Sequence, residues 1–397
     1  MTHKTIRLQE PTYDNREIES VLDLLQNTMV VMGKKTIDFQ NEWSRWQGCK
    51  YSTMVNSGSS ANLLIINLLL SKRYRRPLSK GDEVLVPAVT WSTTLFPVIQ
   101  LGLKPVLVDV SPTTFNIDLD SCKKAITPKT RAIFVVHLLG NPANMDKICE
   151  FCNENNLILI EDCCEATGSK WNGVNVGNFG VASSFSFMFA HHISTIEGGM
   201  VCCQDKQDEN IIKASRAHGW IRELDEKSQR EIEAENYFDD YRFMFWETGF
   251  NVRPTEVSAA FGLHQLEKLG NFIDIRIRNF RLYEELFRDL HDHIQTQCTE
   301  DEQKAFRSSF SFGFFFHDPK LRKPFITHLR NKGIECRLLV AGNLARHPFY
   351  PLYCDKPTVS LEIADKIHEG GLFLPAHQGL EEEDIDYISA TVHEFFR

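Results

Sequence analysis

The sequence predicts an α/β fold: a large domain on a mostly parallel mixed sheet, followed by a smaller C-terminal α+β domain. Three observations predict it. From Glu83 to Cys203, short β-branched runs alternate with helical or loop segments, the pattern of strands joined by crossovers and covered on both faces. Residues 254–290 are nearly all helix-compatible. The final third, with FRSSFSFGFFF and the terminal EEDIDYISATVHEFF, mixes strand and helix patterns on a smaller scale.

In order, the strand candidates are EVLVPAVT (83–90), PVLVDV (105–110), RAIFVVHLL (131–139), LILIED (157–162), SSFSF (183–187) and GGMVCC (198–203). Only a short loop separates the last two, so that pair is not expected to be a standard crossover. Beyond Pro254, PTEVSAAFGLHQLEKL to NFRLYEELFRDL reads as helix running between the domains. The reading assigns residues 1–265 to the large domain with its N-terminal segment and 266–397 to the small one. No internal repeat, low-complexity tract or flexible linker interrupts them.

With 397 residues, 42% of them hydrophobic, the chain can bury a large core. A formal net charge of −9 argues against nucleic acid, whose binders carry a basic excess. The start, MTHKTIRLQEPTYD, has no apolar run of the signal-peptide kind. The longest apolar stretch, Ala61 to Leu70, is broken by Asn62 and Asn67 and is too short to span a bilayer. No membrane association and a cytoplasmic location are therefore expected. Eleven cysteines, several in strand-like positions (Cys163, Cys164, Cys202, Cys203), suit a reduced compartment. Cys149 and Cys152 form a CxxC, but within the amphipathic ANMDKICEFCNENN and without a second pair, so a structural role is expected.

Four stretches can carry chemistry. Asn56-Ser57-Gly58-Ser59-Ser60-Ala61-Asn62 opens a helical run, and backbone N–H groups at such a start suit an anion, although serine also caps many helices. Leu159-Ile160-Glu161-Asp162 ends an apolar strand, where α/β sheets gather ligands. A carboxylate there could keep a heteroaromatic nitrogen protonated; two solvated loop acids are the plainer alternative. Adjacent His191 and His192 lack a metal-binding spacing, so no metal is expected, while one imidazole could serve as a general base. Trp91 could be a platform for a flat ring or an ordinary core residue.

Taken in order, these segments resemble the DegT/StrS sugar aminotransferase family, fold-type I enzymes that use pyridoxal 5′-phosphate (PLP). The resemblance runs through Gly33 in VVMGKKTIDFQNEW, NSGSSANL, PAVTWSTTLFPV, HLLGNP, IEDCCEATGS, the FSF and EGGMV segments and TGFNVRPTEVSAAFGLHQLEKL. It implies that Gly58, Ser59, Ser60 and Ser186 hold the coenzyme phosphate. Asp162 would pair with the pyridine nitrogen and Trp91 would stack on the ring. Glu165, where aminotransferases usually carry glutamine, joins the coenzyme-binding set. Asn251 would reach the phosphate bound by a second subunit, which implies a homodimer with active sites at the subunit interface.

One departure redirects the reading. Ordinary members of the family carry a coenzyme-binding lysine where this chain has His191, and an imidazole cannot make that covalent link. The HH-I-x-T-x-EGG pattern resembles the family's histidine-containing sugar 3-dehydratases. An iron–sulfur branch of these needs cysteines that the interval from Cys203 to Cys298 does not supply. The resemblance thus implies the cluster-free branch, which acts on GDP-4-keto-6-deoxy-D-mannose on the route to colitose, a lipopolysaccharide O-antigen sugar. L-Glutamate would convert PLP to pyridoxamine phosphate (PMP). His191 would then move the protons that let the C3 hydroxyl leave, with release of ammonia. Arg253, Arg337, Arg346 and His218 are candidates for holding substrate groups. The alternatives are a CDP-sugar 3-dehydratase, a C4 aminotransferase of nucleotide sugars, and a non-catalytic PLP-fold binding protein.

Overall fold

A computed structural model describes residues 5–27, 30–236 and 238–397; the first four residues of the polar N-terminal stretch lie outside them. The large sheet holds seven strands: β1 (Tyr51–Val55), β2 (Glu83–Pro87), β3 (Lys104–Val108), β4 (Thr130–Val136), β5 (Ile158–Asp162), β8 (Ala182–Ser186) and β9 (Gly199–Cys203). Their spatial order is β1-β9-β8-β5-β4-β2-β3. The pairs from β3 to β8 are parallel, whereas β8–β9 and β9–β1 are antiparallel. All six expected strands form, and the short connection between the last two gives the antiparallel pair. The seventh, β1, is an edge strand that the sequence reading passed over.

The apolar runs are continuous because both faces are covered. Val84, Val86, Phe134 and Ile160 pack with Leu64, Ile65 and Leu68 of the helix Gly58–Leu70. The alternate residues Leu85, Ile133, Val135 and Leu159 pack with Met145, Ile148 and Phe151 of the helix Met145–Glu154. Burying a Leu, Ile or Val side chain contributes about 1.5–3 kcal/mol, so apolar burial on both faces holds these strands between their helices. Cys149 and Cys152 lie on that second helix as free thiols, and Cys152 is part of the same core.

A 31-residue helix, Glu256–Leu286, capped by Thr255 accepting the Ser258 N–H, crosses the expected 265/266 boundary. Its earlier half packs Ala259, Leu269 and Ile273 against Phe39, Trp43 and Phe185. Its later half packs Phe280 and Tyr283 against the C-terminal sheet. That sheet, all antiparallel, orders β10 (Ile294–Thr296), β12 (Ser311–Phe316), β14 (Gly371–Pro375) and β13 (Arg337–Leu338). Strand alternation sorts β12: Phe312, Phe314 and Phe316 fill the C-terminal core, while Phe315 joins the core of the large sheet. Ile6 bridges to Ile334 and packs in the C-terminal core, so the N-terminal segment leans on the small unit. A three-stranded patch of β6 (Lys170–Trp171), β7 (Val174–Asn175) and β11 (Ala305–Phe306) stitches the two units together. Among the described residues, no helix is long and apolar enough to cross a membrane.

Candidate active site

At the carboxyl end of β5, strand alternation sends two neighbouring carboxylates to opposite faces. Glu161 is fully buried and structural. It accepts the N–H groups of Gly177, Phe179 and Gly180 at 2.7–2.9 Å and the Nε2 of His137 at 3.1 Å. The Nδ1 of His137 in turn accepts the Ala143 N–H at 3.0 Å, so the ring carries its proton on Nε2. His137, Glu161 and Cys163 lie close enough to suggest a metal centre, but these bonds already occupy the imidazole and the carboxylate. Asp162 faces the other way. Its Oδ2 accepts the Nδ2 of Asn62 at 2.9 Å and the Oγ1 of Thr94 at 2.8 Å, and its Oδ1 accepts the Cys164 N–H at 3.1 Å. Those donors aim the carboxylate into a cavity of about 240 Å³.

The helix Gly58–Leu70 begins on the same cavity. Ser57 caps it, its Oγ accepting the Ser60 N–H at 3.1 Å. The earlier N–H groups, of Gly58 and Ser59, have no acceptor within the helix. Gly58 is required by close approach: a Cβ there would stand 2.7 Å from the Cβ of Ser186 and 2.9 Å from the Sγ of Cys164. Ser186, at the end of β8, brings its hydroxyl to the same corner. Trp91 precedes the helix Ser92–Gln100, lines the cavity and is 56% exposed. Of its two readings, the core residue is excluded.

His191 lines the cavity, whereas His192 is buried behind it with its Nε2 near the Ser308 carbonyl, at 3.2 Å. The His191 ring lies 5.3 Å from that of Phe310, and its Nδ1 is buried without a hydrogen-bond partner. Desolvation, reinforced by the charge of Arg276, pushes its pKa down to about 4, against the opposing pull of the Cys164 backbone and Asp162. The imidazole is therefore neutral at pH 7 and able to accept a proton. Glu165 moves the other way. Desolvation and nearby Asp162 push its carboxyl up to about 7, opposed by the Leu139 N–H that its Oε2 accepts at 2.9 Å. That bond helps hold Leu139 in a left-handed conformation, φ 54°.

The cavity thus gathers Gly58, Ser59, Trp91, Asp162, Glu165, Ser186, His191 and Arg337. Five other predicted residues do not line it. Ser60 turns toward its cap, its Oγ 3.1 Å from the Oγ of Ser57. Asn251 and His218 are exposed, and the Oδ1 of Asn251 accepts the Nε of Arg253 at 3.0 Å. His218 adopts φ 66° in a turn, donating its N–H to the Phe250 carbonyl. Arg346 pairs with Glu369 and Asp365, at 3.1 and 3.6 Å. The sequence reading missed Asn62, Thr94 and Phe310 as contributors. Asn62 did carry a signal, as a polar residue one turn into a very apolar helix.

A flat ring bearing an anionic group and a protonatable nitrogen fits this donor set. The indole offers a face, the helix start and Ser186 offer anion donors, and Asp162 offers a carboxylate. The glycine cradle leaves room at the anion corner.

The comparisons agree with that chemistry. The model of the DegT/DnrJ/EryC1/StrS aminotransferase family matches residues 11–393. The chain is 37% identical over 383 residues to a GDP-4-keto-6-deoxy-D-mannose 3-dehydratase of Escherichia coli O55:H7, covering 96% of this chain and 97% of the relative. The protein of that name from Yersinia pseudotuberculosis is 38% identical over 377 residues, 94% of each chain. A crystal structure of GDP-4-keto-6-deoxymannose-3-dehydratase with a trapped PLP-glutamate geminal diamine superposes with a TM-score of 0.89 at 36% identity, covering 97% of this chain and 99% of the other. With its cavity assembled at the carboxyl ends of a mainly parallel sheet, and the match extending over nearly its whole length, the chain belongs to the DegT/DnrJ/EryC1/StrS aminotransferase family.

Proposed function

We propose that the protein is a PLP- and L-glutamate-dependent 3-dehydratase of a nucleotide-linked 4-keto-6-deoxyhexose, with GDP-4-keto-6-deoxy-D-mannose as substrate. One observation carries the reading: His191 lines the cavity, and no lysine is among the residues described there. The name shared by the two relatives supports the GDP sugar, and the PLP-glutamate adduct of the similar crystal structure supports the two cosubstrates.

PLP, when bound, supplies an electron sink and a carrier for the amino group. The chain supplies position and proton transfer. Asp162 holds a proton on the ring nitrogen through a charge-assisted hydrogen bond. The N–H groups of Gly58 and Ser59, with the hydroxyls of Ser59 and Ser186, would hold the phosphate, and Trp91 would cover one ring face. Glu165 completes the polar wall beside Asp162. His191, neutral before reaction, takes a proton from carbon and returns it to the departing C3 hydroxyl. Such a positioned base is worth about a hundred- to ten-thousand-fold in rate. Arg337 is the cavity's cation for an anionic group of glutamate or the sugar nucleotide.

Asn251, Arg253 and His218 serve the cavity of a second copy. Supporting this, they lie outside their own cavity, and the exposed apolar side chains Phe243, Phe245 and Val31 are the kind that subunits cover. Free thiols throughout suit a cytoplasmic location. The product, a 4-keto-3,6-dideoxy sugar, would feed sugars such as colitose in lipopolysaccharide.

The test is incubation with PLP, L-glutamate and GDP-4-keto-6-deoxy-D-mannose, with the CDP sugar in parallel. Ammonia, 2-oxoglutarate and a 3-deoxy sugar are expected from the GDP substrate. A product that keeps its C3 oxygen and gains nitrogen at C4 would mean an aminotransferase instead. His191→Asn should abolish dehydration while PLP still binds, as followed by its absorbance; undiminished turnover would refute the role of the imidazole.

A further inference from the structure

Arg276 lies near the middle of the long helix Glu256–Leu286 and is 2% exposed. Burying a guanidinium is costly unless an acid neutralises it, yet among the described residues no carboxylate lies within ion-pair distance. Its partners are all neutral. The Nε donates to the Oε1 of Gln378 at 2.8 Å, and Nη1 donates to the carbonyls of Phe310 at 2.9 Å and Ser309 at 3.4 Å. Nη2 donates to the carbonyl of His191 at 3.4 Å. Two of these acceptors belong to residues whose rings pack together on the cavity wall, His191 and Phe310.

We propose that Arg276 is a positioning residue for His191: its planar fork ties the histidine loop to the Ser309–Phe310 segment and fixes the imidazole beside the reacting atoms. Two lines of geometry meet here. His191 sits on the loop between β8 and β9, with an N–H bond to Met188 and a ring nitrogen that has no partner. Phe310, which supports the ring, is itself gripped from two sides: its carbonyl accepts Arg276, and its N–H donates to the Leu139 carbonyl at 3.0 Å. An ammonium could not span the carbonyls of both residues as the fork does. The charge has a second effect. Arg276 is a cation close to His191, and it opposes imidazolium in a site whose other charged or titratable groups are Asp162, Cys164, Glu165, Glu197, Arg337 and the adjoining His192.

The positioning role rests on His191 acting as the base, so the test includes a readout independent of turnover. Histidine-labelled full-length protein is titrated by NMR without PLP, and kcat and KM are measured with it. Arg276→Met should raise the His191 titration midpoint and lower kcat about a hundredfold, the scale of a misplacement of about 1 Å, with KM for the sugar little changed. Arg276→Lys should keep the midpoint low yet still lose kcat, because charge without the fork does not hold both carbonyls. An unmoved midpoint and wild-type kcat in a folded Arg276→Met overturn the proposal. If that variant does not fold, wild-type kcat in Arg276→Lys overturns it. A wild-type protein with no dehydratase activity would instead sink the function, leaving the titration to judge Arg276.

Discussion

His191 and Glu165 face the same cavity, and burial drives both toward their neutral forms, with opposite consequences for stability. The folded His191 resists protonation until about pH 4, whereas its ordinary value is 6.5. Below pH 6.5 the unfolded chain therefore binds the proton that the folded chain refuses, and stability falls as pH drops from 6.5 to about 4. Glu165 holds its proton to about pH 7 against an ordinary 4.5. Its contribution is complete below 4.5 and is lost as pH rises through 7. Two outcomes follow. The His191 ring signal of the PLP-free protein should titrate near pH 4, and a midpoint near 6.5 would place the ring in water. Glu165→Gln, which can still accept the Leu139 N–H, should be more stable than wild type at pH 8, by on the order of 1 kcal/mol once solvent screening is allowed for. At pH 4.5 it should show no gain. Denaturant melts at the two pH values read that difference, and an equal gain at both would show that burial of the charge is not the cause.

The helix that opens at Gly58 presents its first amides to the cavity only because its start lies against Ser186 and Cys164. Gly58→Ala should therefore damage the site out of proportion to its size. The added methyl meets the Cβ of Ser186 and the Sγ of Cys164 at under 3 Å, and relieving such a clash costs about 1–3 kcal/mol. Coenzyme affinity should drop about tenfold or more, with Ser59→Ala milder, as measured by PLP titration; equal losses in both would point to the hydroxyl instead of the backbone approach. The same level shows what the sequence carried. Strands buried on both faces read as continuous apolar runs, so β2 to β5 were legible, and the shortness of the β8–β9 connection argued against a standard crossover there. β1 was not, because only its pairing with β9 distinguishes YSTMV from the end of a loop. Likewise the meeting of His191, Asp162 and Ser186 at one cavity was legible through the family resemblance of their segments. Thr94 was not, since its role depends on meeting Asp162 across 68 residues. Arg276 did leave a trace: it falls on the 3-and-4 spacing of Leu269, Ile273, Phe280 and Tyr283, the buried stripe of the helix. An arginine on such a stripe signals a neutral-acceptor cradle or a hidden acid, and periodicity alone does not say which.

At the scale of the molecule, one chain supplies the base, the ring carboxylate and the helix start, but little cationic or amide help at the anion corner beyond its own. Arg337 is the only arginine among the residues described around the cavity, while Asn251 is exposed with half-buried Arg253 bonded to it, and Phe243 and Phe245 are exposed as well. If Asn251 and Arg253 complete a neighbouring copy's site, two defective chains can rescue each other. Asn251→Ala should weaken PLP binding and turnover, and His191→Asn should abolish turnover, each as a homodimer. After co-refolding equal amounts, half the dimers are mixed, and each mixed dimer joins both defects in one site and leaves the other intact. Activity should then recover to about a quarter of the wild-type value, the outcome of a two-fold assembly with shared sites. Activity no greater than the average of the two parents would mean that each chain builds its site alone, and the role of Asn251 would have to be given up.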